Sequence, residues 1–137
     1  MSTLDKPLTR GQRRAHAACE CVREVEKNGD KEYSGKYLTF ARKFPSLIQS
    51  CGLVQAVAFA LARSKAANDI GAANEKKGPY EEVVKALAKI MGLSSLEKLQ
   101  SDCQLAEVPE YLRLSRDALD AANWLKRYAE ALLGDVS

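Results

Sequence analysis

Apolar positions recur at spacings of three and four along almost the whole chain and nowhere alternate with period two, so the sequence reads as helices without strands. Thr9 is a helix N-cap, and the helix it opens runs to about Asn28, where Asn28-Gly29 stops it. Its inner stripe is Ala15, Ala18, Val22 and Val25, small side chains that allow close packing. A short helix follows with Tyr33, Tyr37, Phe40 and Phe44 inward and Lys36, Thr39 and Lys43 outward. Phe44-Pro45 then ends this helix and opens the next, with proline in the first turn. That next helix, to Ala62, is apolar on nearly every side: only Ser46, Gln49, Ser50 and Gln55 interrupt it. A helix hydrophobic all round is enclosed by other helices or by lipid. This run is shorter than the roughly 20 apolar residues a membrane span needs. It is therefore expected to be the central pillar of a helical domain with no membrane contact, with Gly52 as a close-approach site.

Beyond the pillar, Arg63–Gly78 is rich in Ala, Asn, Gly and Lys and reads as a fraying, mobile loop. Pro79 starts a helix with Tyr80, Val83, Leu87 and Ile90 inward and Glu81 placed to pair with Lys85; Gly92 ends it. Ser94 with Glu97 spells a capping box for a short helix carrying Leu96, Leu99 and Cys103. Pro109 begins the last and longest helix, whose stripe is Tyr111, Leu114, Ala118, Ala121, Leu125, Tyr128 and Leu132. The expected fold is all-α: one domain over residues 1–137, a compact bundle of about six helices with a long C-terminal helix, a central apolar helix and a flexible loop at 64–78.

Composition changes this picture little. A chain of 137 residues is long enough to bury roughly two-thirds of its unfolded surface in one core. The N-terminus lacks the apolar stretch of a signal peptide, so a cytoplasmic location is expected, with Cys19, Cys21, Cys51 and Cys103 as free thiols. Cys51 and Cys103 fall on apolar stripes and suit small buried hydrophobes. The net charge of +3 is unevenly spread: ten Lys/Arg against six Asp/Glu in residues 1–45, but seven against ten in residues 80–137. This polarity favours a polyanion on one side and a basic surface on the other.

Several side chains stand out against it. Trp124 lies about a quarter turn off the stripe of the last helix, among Arg113, Asp117 and Asp120. It is either a partly exposed anchor for a partner or base, or a core ring covered by a shorter helix. Arg127 faces outward with Arg116 and Asn123, and Lys126 sits near the apolar edge. They read as RNA-phosphate contacts or as a solvated face with Arg127 bridged to Asp120 or Glu130, and charge alone favours the second. Lys6, Arg10, Arg13 and Arg14 crowd the start of the first helix, where cations oppose the helix dipole and Arg10 and Arg14 repel at i,i+4. An anionic partner would relieve both; an ordinary basic surface is the alternative. Arg42 and Lys43 could reach phosphates near the pillar's N-terminus, or mark an exposed helix end. One histidine, His16, with Cys19 and Cys21 nearby but no CxxC pair, does not make a metal set. No nucleophile–base constellation, Gly-rich phosphate loop or paired inner carboxylates can be assembled. No catalysis, cofactor, metal or small-molecule substrate is expected.

Three segments carry a family resemblance: Arg13–Val25 (RRAHAACECVREV), the apolar run of Arg42–Ala62, and Tyr111–Leu133 (YLRLSRDALDAANWLKRYAEALL), with NWLKRYAEALL the most distinctive. Together they resemble the small subunit of the Cmr complex, the type III-B CRISPR RNA-guided antiviral effector; the region from Ser64 to Ala106 matches only in being helical. The resemblance implies a non-catalytic subunit that stacks head to tail into a filament lining the guide and target RNA channel. Its partners would be further copies of itself, other Cmr subunits, and guide and target RNA. It raises Arg13, Arg14, Arg42, Lys43, Lys126 and Arg127 to expected RNA contacts without sequence specificity, and Arg10 and Trp124 to subunit contacts. The rivals are a helical protein–protein adaptor with no nucleic-acid role, a helical DNA-binding protein and a small hydrolase. The DNA-binding reading lacks a polar recognition helix after Gly29, and the hydrolase lacks a constellation.

Overall fold

The computed structural model describes residues 7–71 and 78–134, with side chains described for 7–65 and 78–134. Among the described residues six helices follow one another: α1 (Arg10–Asn28), α2 (Lys31–Cys51), α3 (Leu53–Gly71), α4 (Pro79–Ile90), α5 (Leu96–Leu105) and α6 (Val108–Leu133). No strand occurs among the described residues, so the all-α bundle with a long last helix is the observed architecture.

The local signals explain most of the boundaries. Thr9 caps α1 in a reciprocal box with Gln12: its hydroxyl accepts from the Gln12 N–H, and the Gln12 side chain accepts from the Thr9 N–H. Gly29 closes α1 in the left-handed region (φ 70°), a conformation that costs glycine nothing. Asp30 immediately caps α2 by accepting from the Glu32 and Tyr33 amides. Pro79 occupies the first turn of α4. The cap of α5 is Ser95, which accepts from the Lys98 N–H, and not the expected Ser94–Glu97 box one residue earlier.

The main departure concerns the apolar run. The chain does not break at Phe44-Pro45; α2 continues through Pro45 to Cys51. An interior proline forfeits one backbone hydrogen bond, and here Phe44, Pro45 and Ile48 are all buried against the core. The break comes at Gly52, with φ 88° and ψ 160°, a region open essentially to glycine alone. Its carbonyl accepts the Ala56 N–H and so starts α3. Because glycine has no capping side chain, the Val54 N–H is accepted instead by the Tyr111 hydroxyl of α6, at 3.2 Å.

The expected pillar is therefore two helix pieces joined at Gly52. Nor is it enclosed on all sides, since Ala58, Phe59 and Ala62 of α3 and Cys51 of α2 are exposed. The bundle does have a central apolar helix, but it is α4. It packs against α1, α2, α3, α5 and α6 and buries Val83, Val84, Ala86, Leu87, Ala88 and Ile90. The backbone of residues 64–71, expected as loop, continues α3 as helix; the rest of that expected loop, 72–77, lies outside the described residues. α6 packs mainly on α1 and α2 through a row of small side chains, Ala118, Ala121, Ala122 and Ala129, with Leu125 among them. No described helix is long and apolar enough to cross a membrane.

Gly52→Ala should cost about 1–3 kcal/mol, from the forbidden dihedral and from a Cβ placed 3.5 Å from the Tyr111 hydroxyl. Tyr111→Phe, which strands the Val54 N–H, should cost about 1 kcal/mol. Denaturant unfolding followed by circular dichroism checks both.

Candidate nucleic-acid and subunit interface

The cations singled out from the sequence fall into three environments. Arg14 is buried, with a relative exposure of 7%. Its Nη1 donates to Asp120 Oδ2 at 2.6 Å, and its Nη2 lies 3.1 Å from Asp117 Oδ1. Burial alone would depress the guanidinium pKa, but the hydrogen bonds to Asp120 and Asp117 and their charges outweigh it and hold Arg14 above its ordinary value. This side chain fastens α1 to α6 and has no charge left for a phosphate, so it leaves the set of expected RNA contacts. An alanine in its place would leave the Asp117 and Asp120 carboxylates beside each other without their shared partner.

Arg42 is half exposed and its Nε donates to Glu130 Oε2 at 3.2 Å, tying α2 to α6. Glu130 therefore pairs with Arg42 rather than with Arg127. Lys126 and Arg127 precede Glu130 by four and three residues, which puts them next to it on the helix surface. Neither has an ion-pair partner among the described residues; Arg127 is exposed and Lys126 half-buried. The fold thus gathers Arg42, Lys126 and Arg127 along one α2–α6 seam. Lys43 is exposed on a different side of α2, facing α3 across a groove. Arg13 is exposed near the start of α1 and has no ion-pair partner among the described residues.

Arg10 lines a polar cleft between α1 and α6 together with Arg14, Arg113, Arg116, Asp117 and Asp120. Arg113 reaches Glu110 at 3.4 Å. The Trp124 ring is half-buried, stacks on Tyr128 with centroids 6.4 Å apart, and lies beside Gly11 of α1, close enough that a Cβ there would touch it at an ordinary 3.8 Å. Cover by the shorter helix, the second of the two readings, is thus the larger part of its environment.

The basic N-terminal part and the acidic C-terminal part of the sequence meet inside the molecule. Arg14 and Arg42 spend their charge on Asp117, Asp120 and Glu130 of α6. Linear charge polarity is therefore a weaker guide to partner surfaces than the sequence suggests.

The remaining titratable groups are structural. Burial pushes the Cys21 and Cys103 thiols up, and burial with the nearby Cys21 and Glu82 pushes the Tyr37 phenol well up. Cys51, expected to be buried, is exposed because it sits at the α2–α3 corner. His16 makes a 3.6 Å contact with Glu20. No group of His, Cys, Asp or Glu suited to a metal ion occurs among the described residues.

Two surface features lie outside what the sequence alone suggests. One is the α2–α3 groove, where Arg63 sits 4.8 Å over the Tyr80 ring and donates to its hydroxyl at 3.1 Å. Its sequence signal is the i,i+4 spacing of Phe59 and Arg63, obscured by the loop expected to begin there. The other is the α5–α6 corner, where Leu105, Val108 and Leu112 are exposed. Their three–four spacing bridges the Pro109 boundary, which splits it between two elements.

These features define a small all-helical protein with charged seams and apolar surface patches. Comparison with known proteins makes this specific. The sequence model of the CRISPR-associated protein family Cas_Cmr5 matches residues 10–132, and the chain belongs to that family. It is 38% identical over 125 residues to the CRISPR system Cmr subunit Cmr5 of Thermus thermophilus, covering 91% of this chain and 96% of that protein. It also resembles the crystal structure of a CRISPR-associated Cmr5 family protein from Thermus thermophilus. The TM-score is 0.74 at 36% identity, covering 91% of this chain and 98% of that one. The match runs through 64–106, where the resemblance carries nothing beyond helicity.

Arg14→Ala should destabilise the fold by about 1–3 kcal/mol, below the roughly 3–5 of a fully buried pair because both aspartates reach solvent. Arg14→Lys should recover part of the loss. Thermal melts at two salt concentrations check this, with the bridge only weakly salt-sensitive because the guanidinium is buried.

Proposed function

We propose that this chain is the non-catalytic small subunit of a type III-B CRISPR effector. Copies stack along the guide and target RNA and contact its phosphates without reading sequence, alongside the other Cmr subunits. The observation that carries the RNA part is the α2–α6 seam: Arg127 and Lys126 lie beside Arg42 with no carboxylate of their own among the described residues. A cation held at a helix surface without a partner is available to a polyanion, and phosphate contact alone transmits no base identity. In this reading Arg13 and Lys43 add further phosphate contacts. Arg10 and the solvent-facing edge of Trp124 belong to subunit contact.

Charge reversal at Arg14 would test folding rather than stacking, so Arg13 alone is the N-terminal probe. The rival reading is a protein-only adaptor, favoured by the internal pairing of Arg14 and Arg42, which removes two cations from the surface supply.

The discriminating experiment replaces Arg42, Lys43, Lys126 and Arg127 with Gln and measures target-RNA affinity of the assembled complex over a range of salt. The slope of log affinity against log salt should fall by about 3, since each lost phosphate contact removes roughly 0.7–0.9. An unchanged affinity at every salt concentration makes these four residues structural surface and leaves the adaptor reading.

A further inference from the structure

Large hydrophobic side chains are exposed at four described positions: Phe59 at 43%, Leu105 at 79%, Val108 at 70% and Leu112 at 55%. They do not scatter. Leu105, Val108 and Leu112 stand together where α5 turns into α6, and Phe59 forms the open wall of the α2–α3 groove. Clustered exposed apolar surface with a polar rim marks a contact site.

The two sites are unlike in form and in charge. The groove holds about 660 Å³. Phe40 stacks on Phe59 at 6.3 Å and 15°, and Tyr80 meets Phe40 edge-on at 5.1 Å, which gives the groove a rigid aromatic floor. Its rim carries Lys31, Lys36, Lys43 and Arg63 against one carboxylate, Glu32, itself engaged by Lys36 at 3.4 Å. The corner carries the opposite balance. Asp102 and Glu110 are matched by Lys98 and Arg113, and Glu107 beside Val108 is exposed with no ion-pair partner among the described residues. One site is therefore an apolar concavity with surplus positive charge, the other an apolar projection with surplus negative charge, and they share no residue.

We infer that the α5–α6 corner of one copy seats in the α2–α3 groove of the next, with Leu105, Val108 and Leu112 against Phe59 and Glu107 toward Arg63. An isologous arrangement would bring groove to groove, or corner to corner, and set like charges together. The unlike pairing is heterologous, and such a contact extends in an open series unless rotation closes it. This rests on the stacking proposed above and assigns the surfaces that make it.

The test uses sedimentation velocity of the full chain from micromolar to near-millimolar concentration, under reducing conditions because Cys51 is exposed. Two variants block one side each: Leu105→Lys/Val108→Lys at the corner and Lys36→Glu/Phe59→Ser at the groove. Circular dichroism melts establish that both are folded. The wild type should form a concentration-dependent series beyond the dimer. Each variant alone should lose about tenfold or more in association, the loss expected for central apolar contacts. An equimolar mixture of the two should form a dimer and stop there, because only one intact corner and one intact groove remain to meet.

Wild-type-like association of either variant, or a mixture that stays monomeric, overturns the assignment while leaving stacking through other surfaces in place. A wild type that stays monomeric throughout overturns the assignment, and leaves stacking on RNA within the assembled complex to be tested there. Neither result decides whether Arg42, Lys126 and Arg127, which lie outside the groove, contact RNA; the Gln-substituted complex tests that separately.

Discussion

The backbone of Gly52 is the constraint on which the rest of the molecule depends. Without its positive φ, the apolar run from Tyr37 to Leu61 would continue as one long helix with hydrophobic surface on every side. Turning the chain there folds the run back on itself, so that α2 and α3 together face α4 and bury its apolar surface. The same turn creates the groove along the outer side of α2 and α3, and it hands one first-turn amide of α3, that of Val54, to Tyr111. A capping group taken from a residue 57 positions away makes the corner and the start of α6 a single unit. Local geometry and tertiary packing are thus mutually supporting, as expected of a minimally frustrated fold.

Charge is organised by the same packing. Arg14 and Arg42 flank the small-residue face of α6 and bridge to it from α1 and α2, so α6 is held by an alanine-lined contact with an ion pair on each flank. The two differ in kind. Arg14 is buried and donates to two carboxylates, which makes it part of the interior. The Arg42–Glu130 pair is half exposed, and exposed pairs are worth no more than about 1 kcal/mol. A polyanion at the seam would compete with Glu130 for Arg42 at little structural cost, whereas Arg14 is held by two aspartates as part of the packing of α1 on α6.

Much of this is legible in the chain. Period 3.6 patterning, the Thr9, Gly29, Pro79 and Pro109 signals and the apolar stripe of α6 name the helices because each acts locally, within one turn. The errors arise where a local rule competes with tertiary packing. Pro45 has the residue type of a helix start, yet burial carries α2 through it. Gly52 looks like a weak interior residue until its dihedrals are known. Ser94 and Ser95 are equivalent as sequence and are separated only by which hydroxyl reaches Lys98. At the candidate site the residue types are readable and their availability is not. Nothing in one sequence says that Arg14 meets Asp117 and Asp120 from the far end of the chain, or that Leu105 and Val108 point into solvent.

A stack built by translating one heterologous contact would repeat every surface feature at a fixed interval. Arg127 and Lys126 would then recur as a row, since each copy presents the α2–α6 seam in the same orientation relative to the contact. Individual exposed cations hold a phosphate weakly, and their attraction falls within a Debye length of roughly 8 Å at physiological salt. A row bound to one continuous polyanion is different, because the second and later contacts are effectively intramolecular and their affinities compound. The modest net charge of +3 is enough under that arrangement: the polymer supplies the multiplicity that the single chain lacks. Under that arrangement the corner and groove would set the spacing of the row, and the cations would set its grip on the polyanion.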